Sequence, residues 1–104
     1  MQLDIQAKDV DLTEALEKLI FQKLGADVAK YLKDFDDDIK IAEVRIEAES
    51  RWGYKVSFSM WLPKKEHIYA EEKNKNLDAA INSLKDEIQR KVRKYKEKLQ
   101  EYHD

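Results

Sequence analysis

Six basic side chains crowd between residues 90 and 98, and no other group in the sequence is better suited to binding chemistry. They are Arg90, Lys91, Arg93, Lys94, Lys96 and Lys98, with Glu97 as the only acid among them. Guanidinium and ammonium groups donate hydrogen bonds to phosphate oxygens, so this charge density suits nucleic acid or another polyanion. A basic helix face can also be merely solvated, and bases near a helix C-terminus offset the helix dipole. The pattern alone leaves these interpretations open.

Catalytic and metal chemistry find little support elsewhere in the sequence. His67 and His103 have no motif partner nearby, and the only glycines, Gly25 and Gly53, cannot supply a phosphate-binding loop or a nucleophile elbow. The aspartates between residues 34 and 38 lack the glycine and closing glutamate of a calcium loop, so a solvated helix end is preferred to a metal site. We expect no enzymatic activity and no cofactor.

Length and composition predict one folded domain spanning residues 1–104. Charged residues make up 40% of the sequence and hydrophobic residues 42%, which indicates a modest core under a dense charged surface. The net charge of −2 argues against a nucleic-acid partner, but charges more than about 8 Å apart are largely screened, so the local basic cluster counts for more. The absence of cysteine, signal-peptide pattern and membrane-length apolar run predicts a cytoplasmic protein with no membrane partner. The scarcity of glycine and proline also suits an engineered sequence.

Hydrophobic periodicity predicts the elements that must position the basic cluster. Residues 3–7 alternate as a strand, and a helix follows from about residue 12 to residue 35, with Asp11 or Thr13 as its N-cap and a kink or break near Gly25. Residues 42–62 alternate as a hairpin around a turn at 50–53, and a shorter strand covers 67–72 after a turn at 63–66.

The last element carries the basic cluster. Asn76 is a suitable N-cap, and apolar residues then recur at helical spacing at Leu77, Ile81, Leu84, Ile88, Val92, Tyr95, Leu99 and Tyr102. The order β-α-β-β-β-α predicts an α+β two-layer sandwich, in which a four-stranded sheet has both helices on one face.

Two other features bear on partners. Lys23 and Lys30 on the first helix extend the positive area if the two helices pack side by side. Trp61 lies on the wetter sheet face, where packing at a rim or subunit contact is favoured over stacking on bases. A protein-interaction module or homodimer that uses this sheet face is therefore the alternative to a polyanion-binding protein.

Four stretches resemble the ribosome hibernation-promoting factor and ribosome-associated inhibitor family: residues 1–5, 11–16, 79–84 and 90–99. The resemblance covers nearly the whole chain in the same order of elements. It implies a fold similar to double-stranded RNA-binding domains and a partner, the small ribosomal subunit, bound through rRNA in the channel used by mRNA and tRNA. It further implies a stress-response factor that inhibits translation. Because the sequence ends soon after the last helix, the expected type is a short-form factor.

The resemblance also implies which residues contact RNA. Arg90, Lys94, Lys96 and Lys98 match basic family positions on the last helix, with Lys91 and Arg93 as additional or variable bases beside them. Lys23 matches a basic position on the first helix, and Lys30 is aligned with a second. Glu87 stands where the family often has lysine.

Overall fold

The computed structural model describes residues 1–49, 51 and 53–101, and its elements form two layers. The strands are β1 (Gln2–Lys8), β2 (Ile41–Glu49), β3 (Gly53–Leu62) and β4 (Glu66–Asn74); the α-helices are α1 (Glu14–Ile20), α2 (Asp27–Ala29) and α3 (Leu77–Glu101). The sheet order is β1-β2-β3-β4, with β1 parallel to β2 and the other neighbouring pairs antiparallel. The predicted α+β two-layer sandwich is therefore confirmed.

The core lies between the sheet and the helices. Alternate residues of β2 and β3, such as Val44, Ile46 and Phe58, are fully buried, while their neighbours along the strands face the other side. From α3 the apolar stripe, including Leu84 and Ile88, buries against β3 and β4. The apolar residues that alternate along the strands and those that recur every 3.6 residues along the helix therefore pack into one core.

The first helical segment, residues 14–32, is one continuous helix. A π-helical turn at Phe21–Ala26 links α1 to α2, and a 3₁₀ turn at Lys30–Leu32 ends the segment. In a regular α-helix, residues four apart drift about 40° around the axis at each step. The wider π turn reduces this drift, because its hydrogen bonds join residues five apart. Ile20, Leu24, Val28 and Leu32 therefore all reach the core.

The structure decides between the alternatives predicted for the first helix. The helix does not break near Gly25, since Asp27 has helical dihedrals and continues it; the phase change in the sequence reflects the π turn instead. The N-cap is Thr13, one of the two predicted candidates; its hydroxyl accepts a hydrogen bond from the Leu16 amide at 3.1 Å, and Asp11 lies outside the helix. The helix begins at Glu14, so Thr13 is the residue placed to cap it.

The long helix begins where the sequence predicts. The side chain of Asn76 accepts a hydrogen bond from the Ala79 amide at 3.0 Å, and Asn74 in turn accepts one from the Asn76 amide at 2.8 Å. These bonds satisfy backbone donors that a helix N-terminus otherwise leaves unpaired. The predicted helix end at Tyr102 and the tail residue His103 lie outside the described residues, as do Ser50 and Trp52 of the predicted turn.

Within the described ranges, no helix is long and apolar enough to cross a membrane. The same residues contain no group of three or more histidine or acidic side chains placed to hold a metal ion. Of the aspartates between residues 34 and 38, Asp37 forms an ion pair at 3.1 Å with the buried Lys40. This acidic stretch is thus partly used to neutralise a lysine.

Candidate nucleic-acid interface

Helix α3 presents the six predicted bases in three directions. With about 100° between successive residues, Arg90 and Arg93 lie on the outer face, opposite the apolar stripe. Lys91, Lys94 and Lys98 lie on the flank toward β4, and Lys96 lies on the other flank, toward the first helical segment. The structure therefore brings most, but not all, of the basic cluster to one side of α3.

Three of these bases are exposed and carry no ion pair among residues 1–49, 51 and 53–101: Arg93, Lys94 and Lys98. Arg90 is also exposed, although it is paired within α3. Exposed positive groups are the ones available to an external anion. We call these four residues, Arg90, Arg93, Lys94 and Lys98, the basic surface.

Lys91 and Lys96 bind within the protein. The Lys91 ammonium donates a hydrogen bond to the backbone carbonyl of Tyr69 on β4. The Lys96 ammonium donates to the carbonyl of Tyr31 at 3.0 Å and lies 3.6 Å from Asp34. Both lysines are only partly exposed, and they fasten α3 to β4 on one side and to the end of the first helical segment on the other.

Glu87 neutralises part of the predicted cluster. Its carboxylate lies 2.5 Å from Arg90 and 3.9 Å from Lys91, and the side chain is only a quarter exposed. The hydrogen bond from Arg90 lowers the pKa of Glu87, with help from the charges of Arg90, Lys91 and Lys94 against the opposing effect of burial. Because the pKa is lowered in the folded state, the pair stabilises the fold at neutral pH, and this stabilisation is lost as the pH falls through the lowered pKa.

The two predicted lysines of the first helical segment differ in their surroundings. Lys30 is exposed but lies 3.6 Å from Asp27, which also lies 4.0 Å from Lys85 of α3. Lys23 is half-buried and has no ion pair among the described residues. Asp27 therefore joins the two helices and neutralises part of the charge expected there.

Sequence reasoning missed Lys85 as a member of this junction. The helical spacing could have identified Lys85. Lys96 follows it by eleven residues, or about three turns, so both lysines lie on the same flank of α3.

The geometry defines a small α+β protein that presents positive charge from its helical layer and buries its core against one sheet face. The chain belongs to the family described as sigma 54 modulation protein / S30EA ribosomal protein, whose sequence profile matches residues 3–100. The family resemblance noted in the sequence is thereby confirmed.

Two relatives place the chain within that family. It is 30% identical over 101 residues to the ribosome hibernation promoting factor of Pseudomonas putida, covering 96% of this chain and 91% of that protein. It is 27% identical over 99 residues to the ribosome hibernation promotion factor of Staphylococcus aureus, covering 95% of this chain. The chain spans only half the length of the S. aureus protein.

Solved structures share the fold. The N-terminal domain of Protein Y from Thermus thermophilus superposes with a TM-score of 0.74 at 19% identity, covering 91% of this chain and 99% of that one. A ribosomal subunit interface protein from Coxiella burnetii gives a TM-score of 0.68 at 19% identity, covering 92% and 98%. At such low identity the likeness concerns the fold alone.

Proposed function

We propose that this protein is a ribosome hibernation factor that binds the small ribosomal subunit and inhibits translation without enzymatic chemistry. The observation that carries the proposal is the basic surface, which is exposed on α3 in a chain of this family. The names of the two relatives supply the biological setting, ribosome hibernation. Such a factor works in the cytoplasm, where its partner lies.

The mechanism follows from charge and shape. Arg90, Arg93, Lys94 and Lys98 donate to rRNA phosphates, and the release of counterions from the RNA supplies much of the affinity. Phosphate contacts carry little sequence information, so selectivity comes from the shape of the RNA surface. A protein seated in the channel for mRNA and tRNA excludes both by steric overlap.

Lys91, Lys96, Lys23 and Lys30 have supporting roles in this proposal. Lys91 and Lys96 set the position of α3, so their contribution to RNA affinity is smaller than that of the basic surface. Lys23 and Lys30 add positive charge from the first helical segment, with Lys30 partly neutralised by Asp27.

Cosedimentation with purified small ribosomal subunits at increasing salt tests the proposal. We expect the protein to travel with the subunits at low salt and to dissociate steeply as salt rises, because phosphate contacts release counterions. A ribosome profile with the protein followed across the fractions then shows whether it associates with subunits, whole ribosomes or ribosome dimers. Absence from every ribosomal fraction at low salt would contradict the proposal.

Removing the charge of Glu87 is expected to strengthen subunit binding. In a Glu87→Gln variant, Arg90 and Lys91 lose their acidic partner and are freer to bind phosphate. We expect the affinity for small subunits to rise by roughly threefold to tenfold, which corresponds to the electrostatic contribution of about one phosphate contact. A binding titration at fixed salt measures the change.

Glu14→Gln is the matched control for that variant. Glu14 forms an exposed ion pair with Lys18 four residues later, and it lies on α1 outside the basic surface. The control changes the net charge by the same amount, so an equal gain in both variants would show that Glu87 has no special role.

A second candidate function is self-association through the exposed sheet face. Trp61 is 61% exposed, its ring stacks on His67 with 4.3 Å between centroids, and Tyr69 and Ile41 are exposed on the same sheet face. Exposed aromatic clusters are typical of protein interfaces.

If this face forms a homodimer, sedimentation equilibrium without RNA will show a dimer that Trp61→Ser converts to monomer. A wild-type monomer at every concentration would exclude this function.

A further inference from the structure

The turn between β3 and β4 has an unusual conformation for its sequence. Leu62 pairs with Glu66 across the hairpin, and the residues between them are Pro63, Lys64 and Lys65. Lys64 and Lys65 have φ angles of 65° and 61°, in the left-handed region. That region disfavours side chains with a Cβ, and hairpin turns that need it ordinarily use asparagine and glycine. Two consecutive lysines are therefore not what the turn itself requires.

A place in the core does not explain the lysines either. Both residues are exposed, so neither side chain fills the core. A residue held in a sparsely populated backbone region without a packing reason points to a function for its side chain. In this turn the side chains in question carry two adjacent positive charges.

The turn is fixed against the C-terminal half of α3. The hydroxyl of Tyr95, a residue only 4% exposed, donates a hydrogen bond to the Pro63 carbonyl at 2.9 Å. Lys64 and Lys98 line the same surface cleft, together with Tyr95, Leu99 and one acid, Glu66. Burial, and then the charge of Glu66, raise the pKa of Tyr95, so its hydroxyl stays protonated and able to donate at neutral pH.

We propose that Lys64 and Lys65 are phosphate-binding residues that extend the basic surface from Lys98 on α3 onto the β3–β4 turn. The ligand class is the sugar–phosphate backbone of RNA, which presents successive anions that a helix and an adjoining turn can bind together. This inference rests on the proposed ribosome binding and adds a second element to the site. Tyr95 acts as a positioning residue, since it holds the turn beside Lys98.

The test replaces the turn with the residues that its backbone prefers. In Lys64→Asn/Lys65→Gly, both positions accept the left-handed conformation more readily, so the melting temperature is expected to rise by roughly 4 to 8 °C. Two phosphate contacts are lost at the same time, so the affinity for small ribosomal subunits is expected to fall by roughly tenfold or more, with a shallower dependence on salt. A purely structural turn would not lose affinity while gaining stability.

Two further variants complete the design. Lys64→Arg/Lys65→Arg keeps both charges and is expected to bind as the wild type does. Lys8→Asn/Lys75→Asn removes two exposed lysines at the opposite end of the sheet and is expected to leave affinity within about twofold, since distant exposed charges are screened.

The outcomes separate the two proposals. If the wild type binds subunits and Lys64→Asn/Lys65→Gly binds as tightly, the turn is not part of the site, and ribosome binding through α3 stands. An equal loss in Lys8→Asn/Lys75→Asn would also overturn the inference, because the effect would then follow net charge alone. If the wild type itself does not bind, the proposed function fails, and this inference fails with it.

Discussion

Reversing two charges on α3 is expected to abolish binding to small ribosomal subunits. Arg90→Glu with Lys94→Glu replaces two proposed phosphate contacts by two repulsions on the basic surface. We expect the affinity to fall by roughly a hundredfold or more at moderate salt, and the slope of affinity against salt to become shallower. Cosedimentation at several salt concentrations measures both quantities. Unchanged cosedimentation would show that the proposed surface is wrong.

The fold should survive this double reversal. Both side chains are exposed, and surface substitutions usually change the free energy of unfolding by about 0.5 kcal/mol or less. Placing Glu at residue 90 adds a like charge next to Glu87, which costs a few tenths of a kcal/mol. The control is Lys8→Glu with Lys75→Glu, which makes the same change in net charge at the opposite end of the sheet, far from the basic surface. Near-normal binding by this control, with similar melting curves, would assign the loss to the basic surface.

The substitution Gly53→Ala is expected to lower the stability of the fold strongly. Gly53 begins β3 with a φ of +96°, and a Cβ built there would lie 2.4 Å from the Cα of Lys75 and 2.5 Å from the carbonyl oxygen of Asn74. Both obstacles are backbone atoms, so a side-chain rotation cannot relieve them. We expect a loss of about 3 kcal/mol or more in the free energy of unfolding, combining steric overlap with an unfavourable φ. Urea denaturation followed by circular dichroism measures this.

Gly25→Ala is the natural control, because it makes the same substitution at the other glycine. Gly25 is buried in the π-helical turn with a helical backbone, and an added Cβ would meet only the Leu3 side chain at 3.5 Å, an ordinary contact. Alanine lowers the entropy of the unfolded chain, so a change between zero and about 1 kcal/mol of stabilisation is expected. Similar destabilisation in both variants would contradict the account of Gly53.

Sequence periodicity predicted the sheet well, because each strand buries one face. In β2 and β3 successive side chains point to opposite faces of the sheet, so the alternation in the sequence predicts which residues are buried. Ile46 and Phe58 are buried as this rule requires. Glu87 and Arg90 pair because residues three apart on a helix are neighbours. Their spacing in the sequence is therefore enough to predict this pair.

Other features depend on tertiary contacts that no local pattern records. From the sequence the π turn is predicted as a kink or break, because apolar residues spaced four apart drift around a regular α-helix. Only the packed core shows that these positions are aligned. Lys96 was predicted to face RNA, but whether it reaches the Tyr31 carbonyl depends on how the two helices pack. The left-handed turn at Lys64 and Lys65 contains no glycine or asparagine, so the sequence does not predict its conformation. Whether the predicted residues contact RNA stays a prediction, as does the single-domain assignment.

The hydrogen bond from Lys91 to the Tyr69 carbonyl has a consequence for the solution behaviour of the protein. β4 is an edge strand, and free backbone groups on an edge invite strand addition by another chain, which leads to aggregation. The Lys91 ammonium donates to a backbone carbonyl of this strand, so a charged side chain lies over part of β4. Replacing Lys91 removes this covering side chain as well as a positive charge, so we expect lower solubility to accompany any loss of ribosome binding.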